Sequence, residues 1–134
     1  MIKIFPYGLS DKTESKFIEI NGECSSTFIN KHENYKNKII EKIKLFDIDE
    51  FIEEKNILKI DLMKINIEGG EYNVIQRLIE KNKVQNIKCL QIQFHILDKK
   101  SYKKRDAIRK LLQKTHKCEY CYEFVWENWI RKNN

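Results

Sequence analysis

The amino-acid sequence predicts one α/β domain over residues 1–134, and three observations lead to this prediction. The length of 134 residues and the 41% of hydrophobic residues suit a single domain with its own core. Two apolar stretches, residues 57–67 (ILKIDLMKINI) and 87–94 (IKCLQIQF), have the composition of strands buried on both faces of a parallel sheet. A helical pattern follows each stretch, so we expect right-handed crossovers between the strands.

Shorter elements are predicted for the first half of the chain. Residues 1–6 (MIKIFP) indicate a strand, and the residue types of 8–11 (GLSD) are typical of a turn. Alternation of apolar and polar residues predicts strands over residues 16–20 (KFIEI) and 39–46 (IIEKIKLF). The polar segment between them, residues 21–37, is expected to form a loop.

Three helices are predicted from capping residues and apolar spacing. Residues 47–55 (DIDEFIEEK) indicate a short acidic helix with Asp47 as its candidate N-cap. Residues 71–81 and 102–114 have the spacing of amphipathic helices, and Ser101 is a candidate cap of the second. The residues expected to face inward are Phe51 and Ile52 in the first helix, Val74, Ile75, Leu78 and Ile79 in the next, and Ala107, Ile108, Leu111 and Leu112 in the last.

The final segment, residues 119–129 (EYCYEFVWENW), alternates aromatic and polar residues. This pattern favours an antiparallel edge strand or hairpin at the border of the sheet. Cys121 in this segment and Cys118 just before it have the spacing of two metal ligands, but a zinc site would need a second such pair. Cys24 and Cys89 are single and distant, so we expect reduced, structural cysteines.

The formal net charge is +6, which permits but does not require binding to an anionic partner. The strongly basic segment, residues 99–110, is interpreted as a solvated helix face in preference to a nucleic-acid patch. No apolar run approaches the length of a membrane span, and the N-terminal segment lacks the arrangement of a signal peptide. We therefore expect a soluble cytoplasmic protein with neither a nucleic-acid partner nor a membrane partner.

Polar side chains end both buried strands, at the edge of the sheet where ligands gather in α/β proteins. Asn66 and Glu68 end the first strand, and Gln93 and His95 end the second. A carboxylate beside a buried strand must find donors or a cation, and a histidine can act as a base. Metal binding by Glu68, Glu71 and His95 is not favoured, because three candidates on two segments are a weak signal.

This region has two further interpretations. Gly69-Gly70 allows a tight turn from strand to helix, and Glu71 then lies in the first helical turn, where an anion is favoured. Both features also fit a purely structural turn. Nucleophilic catalysis by Cys89 with His95 is disfavoured, since six residues of extended chain separate them by about 20 Å.

Residues 61–71 (DLMKINIEGGE) resemble the signature of FkbM-like S-adenosylmethionine-dependent methyltransferases, roughly DLLKIDVEGAE. Four other segments are similar to family segments in the same order and spacing: residues 5–11 (FPYGLSD), the pair Ser25-Ser26, residues 43–50 (IKLFDIDE) and residues 91–95 (QIQFH). The resemblance covers nearly the whole chain. The central motif is fairly specific, and the other segments are weak when taken singly.

The resemblance implies a Rossmann-like methyltransferase sheet, S-adenosylmethionine as cofactor, and O-methyl transfer to a sugar or other small-molecule acceptor. In that family a glycine-rich loop and an acidic residue that binds the ribose precede the segment resembled by residues 1–6. The chain is therefore expected to be an N-terminally truncated, partial domain. No cofactor-binding residue can be assigned by this resemblance.

The resemblance also implies roles for residues at the ends of the two buried strands. Glu68 and His95 would be catalytic, placing or deprotonating the acceptor hydroxyl. Asn66, Glu71 and Gln93 would bind or orient the substrate. Asn66 stands where the family has Asp and Gln93 where it has Glu, and both changes keep hydrogen-bonding shape while removing a charge.

A second hypothesis comes from a different functional class. The chain would be a catalytically inactive remnant, or one half of a split enzyme, that serves as a folded protein-binding module. A sheet that begins with the family's third strand would leave an unpaired edge. A second copy of the chain, or a partner chain, would cover that edge.

Overall fold

The computed structural model describes residues 2–20 and 39–133. In chain order the described elements are β1 (Gly8–Ser10), β2 (Glu14–Ile20), β3 (Ile39–Asp47), α1 (Ile48–Glu54), β4 (Ile60–Ile65), α2 (Glu71–Glu80), a 3-10 turn at Val84–Asn86, β5 (Ile87–Ile92), α3 (Ser101–Leu112), β6 (His116–Tyr122) and β7 (Trp126–Arg131). The expected α/β class is confirmed, and the described strands form two sheets.

The larger sheet has the strand order β4-β5-β7-β6. Strands β4 and β5 are parallel, with Ile65 opposite Ile92, while β7 runs antiparallel to both of its neighbours, β5 and β6. The expected C-terminal hairpin is therefore present, and its first strand forms the edge of the sheet. The smaller sheet has the order β1-β3-β2, and this separation into two sheets was not anticipated from the sequence.

The strand expected over residues 1–6 is wrong. Residues 2–6 form no strand, and β1 begins at Gly8, within the segment expected to be a turn. Pairing explains the shift, because Gly8 lies opposite Leu45 on β3 and a Cβ atom at Gly8 would come within 2.7 Å of the Leu45 side chain. The loop expected over residues 21–37 lies outside the described residues.

Strand β4 is not buried on both faces, contrary to the sequence-based expectation. Its Leu62 is 55% exposed, whereas Ile65 is buried. The difference arises because the side chains on one face pack against α2 and α3, and those on the other face meet solvent. The core joins sheet and helices, and its fully buried members include Ile75, Leu78, Ile87, Leu90, Ile92, Leu112 and Trp129.

The three helices form where the sequence predicts them, but the buried face of α3 differs from the predicted one. Asp47 accepts the N–H of Asp49 at 2.8 Å, which confirms it as the N-cap of α1. In α3 the expected inward residues Ala107 and Leu111 are exposed, and Arg105 is buried instead. The cause is Glu127 on β7, which binds the Arg105 guanidinium beneath the helix.

The sequence predicts Ser101 as the N-cap of α3, and this prediction is wrong. It is the first helical residue, and its hydroxyl accepts the N–H groups of Leu97 and Asp98 in the preceding loop. Ser101 thereby fixes the loop that leads from His95 to the helix. No helix in the described part of the chain is both long and apolar enough to cross a membrane.

Candidate active site

The turn between β4 and α2 has an unusual backbone. Glu68 has a φ of 48° and Gly69 a φ of 104°, so two consecutive residues occupy left-handed conformations. This region is easily reached by glycine and costs free energy for residues with a Cβ atom. Glu68 is therefore held in a conformation that its own side chain disfavours, and backbone strain of this kind is concentrated at functional sites.

The first residue of α2, Glu71, is a fully buried carboxylate. Its Oε2 atom accepts the N–H of Gly69 at 2.8 Å, and its Oε1 atom accepts the N–H of His95 at 2.8 Å. The start of a helix also favours a negative charge at this position. Glu71 therefore ties the glycine turn after β4 to the segment after β5.

Four contacts position the imidazole of His95 and its backbone. Nδ1 lies 3.2 Å from Oε1 of Glu71, and Nε2 lies 3.3 Å from Oε1 of Glu68. The Tyr72 hydroxyl donates to the main-chain carbonyl of His95 at 2.7 Å, and Glu71 accepts its N–H. Burial raises the pKa of Tyr72 to about 12, so its hydroxyl keeps the donated proton across the physiological range.

Both atoms that face the ring nitrogens of His95 belong to carboxyl groups. An ionised carboxylate only accepts hydrogen bonds, so each contact needs a hydrogen on the ring or on the carboxyl group. One hydrogen on Nδ1 satisfies the contact with Glu71. The contact between Nε2 and Glu68 likewise needs one hydrogen, on either group.

The side chains of the three central residues differ in their access to solvent. That of Glu71 is 0% exposed, that of His95 17% and that of Glu68 29%. A small molecule can thus approach Glu68 and the Nε2 side of His95, whereas Glu71 can act only through the groups that it holds. Glu68 and His95 can therefore touch a substrate, whereas Glu71 only positions these two residues.

The five residues singled out in the sequence do not all come together. Glu68, Glu71 and His95 form one contact group. Asn66 is exposed and Gln93 is half-buried, and neither amide side chain makes a hydrogen bond within the part of the chain that the structure describes. The main chain of Gln93 does bind β4, through its N–H to the carbonyl of Ile65 at 3.0 Å.

The structure also bears on two other kinds of site considered for this sequence, a nucleophilic cysteine and a metal site. Cys89 lies within β5, and its thiol contacts Oδ1 of Asn128 at 3.2 Å. Within residues 2–20 and 39–133, no group of three or more His, Cys, Asp or Glu side chains is arranged to hold a metal ion.

Tyr72 was missed as a site residue in the sequence. Its signal was available: a tyrosine in the first turn of an amphipathic helix is expected to be buried, and a buried hydroxyl needs a partner. What the sequence did not indicate was that this partner would be the main chain of His95.

The comparisons with known proteins give one match. Residues 2–122 match the family model described as the methyltransferase FkbM domain. No curated protein and no solved structure matches the chain.

Proposed function

Because the chain belongs to the FkbM methyltransferase family, we propose that it acts in S-adenosylmethionine-dependent methyl transfer to a hydroxyl of a sugar or another small molecule. One observation of the structure carries the proposal. The buried Glu71 holds His95 against Glu68 at the carboxyl ends of two parallel strands.

The topology supports a Rossmann-like arrangement of the larger sheet. Strand β4, helix α2 and strand β5 form a parallel crossover unit. In open sheets built from such units, ligands bind outside the carboxyl ends of the strands. Glu68 follows the end of β4 and His95 follows the end of β5, so both lie where this rule places a ligand.

The cofactor carries a sulfonium cation, and the groups at this edge suit it. Glu68 offers a carboxylate that is partly exposed, and a nearby carboxylate attracts a cation. Glu68 is the described residue that we assign to the sulfonium end of the cofactor. If bound at this edge, S-adenosylmethionine would supply an electrophilic methyl group for transfer to an acceptor oxygen.

The proton of the acceptor hydroxyl would go to the pair formed by His95 and Glu68. His95 can take up this proton in the form that has one hydrogen on Nδ1, held by Glu71, and none between Nε2 and Glu68. The arrangement of a buried carboxylate behind a histidine is the one that orients a general base in hydrolases, and here the same physical logic applies. The proton that the acceptor hydroxyl loses on methylation would go to Nε2 of His95 or to Glu68.

Two neutral amides complete the proposed site. Asn66 and Gln93 can each donate and accept, which suits an acceptor that carries several hydroxyl groups. Neither can take up a proton, so we assign them to orientation of the acceptor. Positioning of this kind accounts for much of the rate of a group transfer between two bound molecules.

Isothermal titration with S-adenosylmethionine tests the proposal. We expect saturable heat from the wild-type chain, and about tenfold weaker binding by the Glu68→Gln variant, since it loses the charge that faces the cation. Glu80→Gln makes the same change on the exposed face of α2 and should bind like the wild type. No heat at millimolar cofactor would sink the claim that this chain binds the methyl donor.

A second function is favoured by a different observation. Strand β4 pairs with β5 on one side only within the described residues, and its Leu62 is 55% exposed. Such an edge can accept another strand, as in a protein-binding module. We would then expect a concentration-dependent dimer, or capture of a partner chain. A stable monomer with a cooperative melt in sedimentation and calorimetry would count against this second function.

A further inference from the structure

Two cysteines of β6 lie on the same face of the larger sheet. Residues three apart in a regular strand point to opposite faces. Here Cys118 lies opposite Trp129 and Cys121 lies opposite Glu127, because a bulge between Cys118 and Tyr120 inserts one residue. Trp129 and Glu127 are both buried on the face covered by α3, so both thiols turn toward that helix.

Two arginines of α3 contact the exposed thiol of Cys121. Nη2 of Arg105 is 3.0 Å from the sulfur, and Nη1 of Arg109 is 3.2 Å from it. The thiolate is the nucleophilic form of cysteine, and guanidinium groups at these distances can donate hydrogen bonds to it. Cys121 therefore combines the two features that make a cysteine reactive, namely cationic neighbours and access to solvent.

The two guanidinium groups are held in place from below. Oε1 of Glu127 binds Nε of Arg105 at 2.6 Å, and its Oε2 binds Nη1 of Arg109 at 2.5 Å. Trp129 donates its Nε1–H to the same carboxylate at 2.9 Å. Nη1 of Arg105 also binds Glu123 at 2.8 Å, so the guanidinium groups beside Cys121 are held in place by carboxylates.

Cys118 occupies a different environment beside the same cations. It is half-buried, and burial raises the pKa of its thiol while the nearby Arg109 opposes that shift. Its sulfur also lies 3.2 Å from the carbonyl of Tyr120. Cys118 is thus the less exposed thiol, and it faces the same guanidinium as Cys121.

We propose that Cys121 is a peroxide-reactive cysteine and that Cys118 is its resolving partner. The Cys121 thiolate attacks one oxygen of hydrogen peroxide, the O–O bond breaks, and Cys121 sulfenic acid and hydroxide form; the hydroxide takes up a proton to give water. The Cys118 sulfur then attacks the Cys121 sulfur, the S–O bond breaks, and a second water leaves. Two thiols are oxidised to one disulfide, and one peroxide is reduced to two waters.

The geometry makes this disulfide easy to reduce. Two successive positions on one face of a strand are about 6.6 Å apart, and a disulfide spans Cα atoms up to about 6.8 Å apart. The bond would therefore form at the limit of its range and would be strained. Strained, exposed disulfides are the labile ones, so this pair suits a reversible switch.

Cys89 provides an internal control. Its thiol contacts the Asn128 side chain, and no lysine or arginine contact of Cys89 is seen within the described ranges. Cys24 lies outside the described residues. In a Cys24→Ser variant of the full chain, Cys89 is the one remaining cysteine outside the proposed pair. Its rate of reaction can then be compared with that of Cys121.

Treatment of that variant with hydrogen peroxide, followed by peptide mass spectrometry, tests the proposal. We expect a Cys118–Cys121 disulfide, seen as the loss of two hydrogens from the joined peptide and reversed by dithiothreitol. Further replacement Cys118→Ser should leave Cys121 as a sulfenic acid that dimedone traps. Cys118→Ala serves the same purpose if the serine variant does not fold.

Three outcomes would overturn the proposal. Cys89 could react with peroxide as fast as Cys121, which would show that the arginines confer no reactivity. Dimedone could label the intact pair as heavily as the Cys118→Ser variant, which would show that Cys118 does not resolve the sulfenic acid. Oxidation of Cys121 directly to sulfinic acid, with no disulfide, would exclude the reversible step.

Discussion

Oε1 of Glu71 accepts the main-chain N–H of His95 at 2.8 Å and lies 3.2 Å from Nδ1 of the same residue. One carboxylate oxygen thus fixes both the backbone and the ring of His95. The other oxygen accepts the N–H of Gly69 at 2.8 Å. A single buried side chain therefore links the two strand ends that form the candidate active site.

Glu71→Gln should destabilise the chain by about 1–3 kcal/mol, because one carboxylate oxygen becomes an NH₂ group that faces a buried donor. Urea unfolding measures this loss. Glu80→Gln, at the exposed end of the same helix, should change the free energy of unfolding by less than about 0.5 kcal/mol. Equal stability of Glu71→Gln and the wild type would show that the three contacts are not coupled to folding.

The strain at Glu68 can be measured by comparing two variants that both lack the carboxylate. Glu68→Gly should be more stable than Glu68→Ala by about 1 kcal/mol, because only glycine is relieved of the left-handed backbone cost. Lys103, on the exposed face of α3, is the matched control, since alanine should there exceed glycine by about 1 kcal/mol. Glycine and alanine of equal stability at Glu68 would argue against strain.

The sequence anticipated the central contact for a physical reason. The carboxyl ends of parallel neighbouring strands meet at one edge, so the strand order alone predicts that Glu68 and His95 lie close together. The N-cap role of Asp47 was equally accessible, because capping depends on a few adjacent residues. The first prediction depends on strand order, and the second depends on residues that are adjacent in the sequence.

Other features depend on contacts that are distant in sequence. The location of β1 at Gly8 is decided by its pairing with Leu45, not by its own residue pattern. The burial of Arg105 requires Glu127, twenty-two residues away. The bulge that brings Cys118 and Cys121 to one face is a property of the pairing with β7, and nothing in the local sequence marks it.

His116 is fully buried and should make stability fall at acid pH. Burial lowers the pKa of its imidazole, and Arg131 acts in the same direction, while the hydrogen bond to the carbonyl of Ile87 opposes them. Because the folded pKa lies below the ordinary value of 6.5, the stabilisation is complete above that value and is lost as pH falls through the folded pKa. Urea unfolding from pH 7 to 5 should show a steeper decline for the wild type than for His116→Gln. Parallel curves would contradict this assignment.

Asp47→Asn isolates the ion pair that joins β3 to α2. Burial alone would raise the pKa of Asp47, but the Arg77 guanidinium, at 2.5 Å, and the Asp49 N–H hold it below its ordinary value of 3.8. The contribution is therefore present above 3.8 and is lost as pH falls through the folded pKa. Asparagine is an equally good N-cap, so the substitution should cost about 1.5–3 kcal/mol at pH 7 through the lost charged hydrogen bond. A loss below about 0.5 kcal/mol in urea unfolding would show that solvent replaces Arg77.

The assignment of the methyltransferase site to this edge is tested most directly by an amide NMR titration of the wild-type chain with S-adenosylmethionine. We expect saturable shifts that centre on residues 66–71 and 93–96, with little change in β6 and β7. The Glu68→Gln variant should show the same shifts at higher cofactor concentration. Absence of shifts at millimolar cofactor, or shifts that centre away from Glu68 and His95, would contradict the assignment of this edge as the methyltransferase site.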